Sequence, residues 1–259
     1  MLSQALTQFA LRLICGMALM LATSDYRKTS SGFYRIQMLV VMGLGVLASM
    51  FAGTGGTIEQ NAILSSTWLT VDCVVIAVLA FLGSVLWMLE RKAGAYRLVL
   101  LILAAAVAGL AMGAFRNSDA VSPVWFQWIS DVSSGAILGG AMTGMLLGHW
   151  YLTAPEMSLD PLLRMTKFYG IAAVVRLLVS AVALWWGWLE IAGLTMVMLL
   201  LMRWCFGVLA PLVTYWMAWR ILKYRNTQAA TGVLFVGVIV TFLGELSGIL
   251  LFFELGATF

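Results

Sequence analysis

Six ionisable side chains stand out because they lie within long apolar runs of the sequence. Three are acids and three are arginines: Asp72, Asp131, Glu245, Arg12, Arg176 and Arg203. A charge at the centre of a bilayer costs at least about 2.5–3.5 kcal/mol, so such residues usually form pairs or serve a function. We predict that the three acids are proton-accepting catalytic groups and that the three arginines bind a ligand beside them. His149, the only histidine, is the fourth predicted ligand-binding residue.

The depth of these six residues suggests that they meet. At a rise of 1.5 Å per residue, Asp72, Asp131 and Arg12 lie roughly nine residues below the outer face, and Glu245 roughly ten. Arg176 and Arg203 are nearer the middle of their runs. Two interpretations follow from opposite charges at one level. The first is a set of structural ion pairs between helices, and the second is a protonatable ligand site or a proton path that opens outward.

The elements that must position these residues are membrane-spanning helices. With 63% hydrophobic and 10% charged residues, the chain is unlike a soluble globular protein. Eight apolar runs are long enough to cross a bilayer: Ala5–Thr23, Arg35–Gly55, Ile63–Leu89, Tyr96–Phe115, Pro123–Leu152, Phe168–Leu189, Gly193–Trp219 and Ala229–Leu255. The sequence therefore predicts an all-α, polytopic integral membrane helix bundle with eight transmembrane helices, forming a single transmembrane domain over residues 1–259.

The basic residues predict the orientation of this bundle. Alternate connections hold 11 of the 15 basic residues, namely Arg27, Lys28, Arg35, Arg91, Lys92, Arg97, Arg164, Lys167, Arg220, Lys223 and Arg225. The opposite connections hold only Arg116. Because basic loops stay in the cytoplasm, both termini should lie outside it. The net charge of +4 then reflects topology, and we expect no nucleic-acid partner.

Several kinds of site are excluded by residue content. A single histidine cannot form a bis-histidine haem site or a histidine-rich metal centre, so we expect neither haem nor metal in this chain. Cys15, Cys73 and Cys205 all lie within apolar runs, and we expect them to be buried thiols. No motif of soluble-type catalysis, such as a P-loop or a GxSxG elbow, is present.

Small residues in the fifth run predict close helix contacts. Gly135, Gly139 and Gly140, followed by Gly144 and Gly148, have the small-xxx-small spacing that lets helix backbones approach each other. The alternative function of these glycines is to leave room for a flat ligand. The two halves of the chain show no clear match in sequence, which argues against a transporter built from inverted repeats.

Short motifs resemble those of a known family. They are Met50 to Asp72, an outward connection that ends in Ser65 to Asp72 of the third run, the stretch from Arg116 to Gly148, and Gly244 to Gly248 in the last run. Together with eight spans and external termini, this pattern resembles membrane anchor subunits of the dimethyl-sulfoxide-reductase type, within the wider group of polysulfide-reductase-like, quinol-interacting anchors. The chain departs from the family pattern at Ala52, where a quinol-contacting histidine is expected, and at Ile249, where a basic residue is expected.

The resemblance implies a haem-free anchor subunit of a respiratory oxidoreductase in the cell inner membrane. Such a subunit binds quinol and passes electrons to a partner, expected to be an iron–sulfur subunit on the outer face. Quinone would be its cofactor, with Asp72 and Glu245 as the family's acidic residues. Three alternatives remain open, namely a structural subunit of a larger membrane complex that has no site of its own, a small proton-coupled transporter or channel, and a lipid-modifying enzyme. Whether the chain is itself an enzyme stays open.

Overall fold

A computed structural model describes residues 2–27, 29–53, 60–116, 122–153, 158–187 and 193–255, with the side chains of residues 60–65, 116, 186 and 187 excepted. Residues 54–59 and 117–121, which belong to the stretches that carry the family resemblance, lie outside the described part, as does Lys28.

The described residues form eight long helices joined by short connections. In chain order they are α1 (Leu2–Thr23), α2 (Ser31–Ala52), α3 (Gln60–Met88), α4 (Lys92–Arg116), α5 (Val124–Thr153), α6 (Asp160–Gly187), α7 (Leu194–Lys223) and α8 (Thr227–Leu255). Each helix coincides with one of the predicted apolar runs, so the predicted all-α class is confirmed.

The start of α6 differs most from its prediction. The apolar run begins at Phe168, whereas the helix begins at Asp160. An acidic residue and a proline, Pro161, both suit the first turn of a helix. Arg164 and Lys167 then interrupt the apolar pattern without interrupting the helix. The first two turns of α6 therefore lie beyond its apolar segment.

The helices pack as two rings of four. In the N-terminal ring, α1 to α4, each helix contacts the next and α4 contacts α1. The C-terminal ring, α5 to α8, closes in the same way. The rings join mainly through α1 and α5, which run parallel with Gly16 packed against Gly135 and Gly139. A Cβ atom at Gly16 or Gly139 would collide with the backbone of the other helix, so only glycine permits this approach.

Residues at equivalent positions in the two rings are 135 positions apart in the sequence. Tyr34 and Tyr169, both fully buried, correspond in this way. So do Glu90 (φ 56°) and Arg225 (φ 57°), the non-glycine residues with positive φ in the described part of the chain. A hydrogen bond to the carbonyl three residues earlier closes each of these turns. The halves show no clear match in sequence, but their helix contacts and turn conformations correspond.

The two ends of the bundle differ in charge. Gln4 and Phe253 line the same cleft, so both described chain ends lie at one end, which we call the terminal face. At the opposite end lie the turns that contain Arg27, Arg91 and Arg225. We call this end the basic face.

Seven of the described helices are long and apolar enough to cross a membrane, which indicates a multi-pass membrane protein. α5 is not among them because it contains Asp131, several serines and five glycines. Its buried residues occupy every side of the helix, since α1, α4, α6 and α8 surround it. α5 therefore lies where other helices separate its polar residues from the surroundings.

Candidate functional site

Five of the predicted site residues form one buried ionic cluster. They come from five helices: Arg12 of α1, Asp131 of α5, Arg176 of α6, Arg203 of α7 and Glu245 of α8. None of the five is more than 4% exposed. Glu245 precedes the end of α8 at Leu255 by ten residues, which places the cluster about 15 Å from the terminal face. The prediction that these charges meet at one depth is confirmed for these five.

Glu245 is the centre of the ionic cluster. Its Oε1 accepts hydrogen bonds from Arg176 Nε at 3.0 Å and from Arg203 Nη1 at 2.8 Å. Its Oε2 accepts from Arg176 Nη2 at 3.0 Å and from Ser134 Oγ at 2.6 Å. Arg176 thus binds the carboxylate through two parallel hydrogen bonds, the geometry in which an arginine–carboxylate pair is strongest. Both carboxylate oxygens are fully occupied by side chains of the protein.

Ser134 links Glu245 to the second ion pair. While its hydroxyl donates to Glu245, the same oxygen accepts from Arg12 Nη1 at 3.4 Å. Arg12 in turn pairs with Asp131 through Nη2. The hydrogen bonds therefore run without interruption from α1 through α5 to α8, and they join the two rings.

Sequence reasoning missed the serines that complete the cluster. Arg176 Nη1 donates to the hydroxyls of Ser130, at 2.8 Å, and Ser133, at 3.2 Å. Arg203 Nη2 donates to Ser180 Oγ at 3.0 Å. The signal available in the sequence was the Ser-x-x-Ser-Ser pattern beside Asp131, since buried guanidinium groups require several acceptors.

Glycines and an irregular turn make room for Arg203. A Cβ atom at Gly248 would lie 2.9 Å from Arg203 Cδ, and one at Gly207 would collide with Nη1 of the same arginine. Gly207 lies in a π-helical turn, Cys205–Leu209, that interrupts α7 two residues after Arg203. Such turns are rare and often mark functional positions. Here the π turn brings the Gly207 backbone against Gly244 of α8.

The geometry of the ionic cluster fits a structural role. None of its charged side chains lines the best-defined clefts in the described part of the chain. With both oxygens of Glu245 occupied, a ligand would have to displace a protein donor. The cluster therefore corresponds to the first interpretation of the sequence, a set of ion pairs that holds helices together.

Asp72 is not part of the ionic cluster. Its helix, α3, packs against α2 and α4 in the N-terminal ring. Its Oδ2 is buried and has no hydrogen-bond partner among the described residues. The same atom lies 2.5 Å from the position that a Cβ atom would take at Gly109 of α4. The prediction that Asp72 joins the other acids is therefore wrong, because depth along a helix does not indicate which helices are neighbours.

A narrow cleft adjoins Asp72 on the terminal-face side of the N-terminal ring. Its cavity volume is about 40 Å³, and the space reaches about 480 Å³ when the open region at its mouth is included. It is lined by Gln4, Thr7, Gln8, Leu11, Leu69, Gly109, Leu110, Gly113 and Phe253. Gln8 Oε1 is a second buried acceptor without a hydrogen-bond partner in the described part of the chain. We call this space the Asp72 cleft, because the Asp72 carboxyl group lies at its Gly109 wall.

His149 lies apart from both the ionic cluster and the Asp72 cleft. It is exposed near the basic-face end of α5, four residues before the helix ends at Thr153. His149 was expected near this end of the fifth run, away from the three arginines, and its role in ligand binding stays a prediction. Among the described residues, no group of three or more His, Cys, Asp or Glu side chains is placed to hold a metal ion.

Comparison with other proteins adds no relative from which a role could be carried over. None of the known protein families matches the chain, and no curated protein is significantly similar to it in sequence.

Proposed function

We propose that this chain is a haem-free membrane subunit that binds a quinol in the Asp72 cleft and passes its electrons to a partner subunit. The observation that supports the proposal is the pair of buried acceptors, Asp72 Oδ2 and Gln8 Oε1, which lie in or beside one cleft and have no hydrogen-bond partner among the described residues. A buried polar atom without a partner is costly, so a ligand that supplies a donor there is favoured. The apolar walls, which include Leu69 and Phe253, suit the ring and tail of a quinol.

The proposed chemistry requires a proton acceptor and an electron acceptor. Oxidation of a quinol breaks two O–H bonds and yields a quinone, two protons and two electrons. Asp72 accepts the protons in turn and releases them to water at the terminal face. The electrons leave to a redox centre of a partner, for which an iron–sulfur cluster docked on that face is the expected class.

The proposal includes a topology. All eight helices cross the cell inner membrane, α5 among them, because its polar residues are covered by neighbouring helices. The terminal face lies outside the cytoplasm and the basic face lies within it, as the distribution of basic residues favours. Asp72 would then release protons on the outer side.

Within this proposal the predicted catalytic residues have different roles. Asp72 remains the candidate proton acceptor. Asp131 and Glu245, which were predicted to share that role, hold the helices together through Arg12, Arg176 and Arg203.

The proposal is tested by quinol oxidation in membranes that contain the chain together with its partner subunits. We expect Asp72→Asn to lower the rate by about tenfold or more, since a hydrogen bond to a charged group is worth about 1.5–3 kcal/mol. The amount of complex that co-purifies in mild detergent should not change. Glu254→Gln, which alters an exposed acid of α8, is the control and should leave the rate unchanged. An unchanged rate in Asp72→Asn would remove this residue from the mechanism.

A second candidate function is transport, which the two matching rings favour. Several transporter families are built from parallel repeats related by an axis along the membrane normal. The π turn in α7 is also the kind of helix irregularity found at membrane transport sites. Proton-coupled uptake of a solute by proteoliposomes containing only this chain would support transport against the quinol proposal.

A further inference from the structure

The common register of the two rings allows their equivalent spaces to be compared. Four residues that line the Asp72 cleft are Leu69, Gly109, Leu110 and Gly113. Their counterparts 135 positions later are Trp204, Gly244, Glu245 and Gly248. The Asp72 cleft and the Arg203–Glu245 pair therefore occupy the same place in the two rings.

In the C-terminal ring this place contains both a donor and an acceptor. Arg203 reaches across Gly248, and its guanidinium group donates to Glu245. The position of a Cβ atom at Gly207 is occupied by that guanidinium group. Donor and acceptor thus both belong to the protein, and the space is filled.

In the described part of the N-terminal ring, the corresponding place contains an acceptor, Asp72, and no donor bonded to its Oδ2. The counterpart of Gly207 is Asp72, so a carboxyl group projects from the corresponding backbone position. The counterpart of Arg203 is Trp68, which is 58% exposed, and the counterpart of Glu245 is Leu110. Around Gly113, the counterpart of Gly248, a Cβ atom would meet nothing within 4 Å. The space that Arg203 fills in one ring is therefore open in the other, beside an unmatched carboxylate.

We infer that the Asp72 cleft holds its ligand through hydrogen-bond donors supplied by that ligand. Resting on the proposed function, this means that the reduced quinol, whose two hydroxyls donate, binds more tightly than the quinone, whose carbonyls only accept. Asp72 Oδ2 and Gln8 Oε1 are the acceptors that receive these donors. The cleft thereby favours release of the oxidised product.

The test is calorimetric titration of the purified full-length chain in lipid nanodiscs with three ligands. They are a short-chain benzohydroquinone, the matching benzoquinone, and an alkylguanidinium that imitates Arg203. We expect the hydroquinone to bind at least tenfold more tightly than the quinone, and the alkylguanidinium to compete with it.

The variants Gly113→Val and Gly43→Val form a matched pair. Both glycines have open space around the added side chain, but Gly113 lines the cleft and Gly43 is exposed on α2. We expect Gly113→Val to abolish binding of hydroquinone and alkylguanidinium, and Gly43→Val to leave both unchanged. Equal loss in the two variants, or none in Gly113→Val, would overturn the assignment of the cleft.

The ligand series separates this inference from the proposed function. Equal affinity for hydroquinone and quinone would overturn the inference that the ligand must supply hydrogen-bond donors, but not the proposal that a quinol binds. If only alkylguanidinium binds, and Gly113→Val abolishes that binding, the requirement for ligand donors is supported and the quinol proposal is overturned. Absence of binding for all three ligands would overturn both.

Discussion

At the scale of single residues, the charges within the apolar runs divide into those that form ion pairs in the ionic cluster and Asp72, whose Oδ2 has no partner among the described residues. Glu245 receives four hydrogen bonds from Arg176, Arg203 and Ser134, whereas Asp72 Oδ2 receives none from the described residues. Removing one partner of a buried ion pair leaves an uncompensated charge, while an unpaired acceptor is open to a ligand. A buried carboxylate group therefore stabilises the bundle at Glu245 and is a candidate ligand-binding group at Asp72.

The claim that the ionic cluster stabilises the bundle is tested with Glu245→Gln. The amide cannot neutralise two buried guanidinium groups, so we expect the free energy of unfolding to fall by about 3–5 kcal/mol. Thermal unfolding of the purified chain, followed by tryptophan fluorescence, measures the change. Glu254→Gln, at an exposed position of the same helix, serves as the control and should unfold like the unaltered chain. An equal melting temperature for all three proteins would show that the ionic cluster does not stabilise the bundle.

The sequence predicted which residues are costly in a membrane but not which of them are neighbours. Arg12, Asp131 and Glu245 were correctly expected to meet, because their depths agree and their charges are opposite. Asp72 has a similar depth, yet α3 packs against α2 and α4 and so lies away from the ionic cluster. Hydropathy gives the position of a residue along the membrane normal, and only packing gives its position within the membrane plane.

At the scale of helices, contacts between glycines determine which helices approach most closely. Gly16 meets Gly139 at the junction of the rings, and Gly207 meets Gly244 within the C-terminal ring. The glycine spacing of α5 predicted close contacts, but the π turn that presents Gly207 has no such signal in the sequence. The start of α6 was also predicted too late, at Phe168 instead of Asp160, because charged residues such as Arg164 interrupt the apolar run but not the helix.

The contact of α7 with α8 is tested by comparing two glycines of α8. A Cβ atom at Gly244 would collide with the Gly207 backbone, whereas one at Gly232 would meet nothing within 4 Å. We expect Gly244→Ala to lower stability by about 1–3 kcal/mol or more, because the backbone cannot move aside as a side chain could. Gly232→Ala should be neutral. Melting temperature and the monodisperse fraction after size-exclusion chromatography are the readouts, and similar behaviour of both variants would contradict the close contact.

At the scale of the whole molecule, two similar rings have taken different electrostatic roles. At the equivalent place, the C-terminal ring contains a donor and an acceptor, whereas the described residues of the N-terminal ring supply only an acceptor. Sequence comparison of the halves could not show this, because helices in a bundle tolerate almost any apolar residue at most positions. The correspondence is visible instead in turn geometry, in the buried pair Tyr34 and Tyr169, and in the glycines of α4 and α8.

The proposed topology is tested by labelling single cysteines from outside intact cells. Cys205 was predicted to be a buried thiol but is exposed, so the background carries Cys205→Ser. In that background, Leu2→Cys lies at the terminal face and Tyr224→Cys at the basic face, and both positions are exposed. We expect a membrane-impermeant maleimide to label the first in intact cells and the second only after permeabilisation. Labelling of both from one side would contradict the odd number of membrane crossings, seven, that the proposed topology places between them.

The most direct measurement of the central claim is hydroquinone affinity, determined together with melting temperature, for Asp72→Asn and Glu245→Gln. If the Asp72 cleft binds ligand and the ionic cluster maintains the fold, Asp72→Asn loses affinity by about tenfold or more at an unchanged melting temperature. Glu245→Gln then lowers the melting temperature and, while folded, retains the affinity. Unchanged affinity in Asp72→Asn, with affinity lost from folded Glu245→Gln, would place the ligand at the ionic cluster and contradict the account.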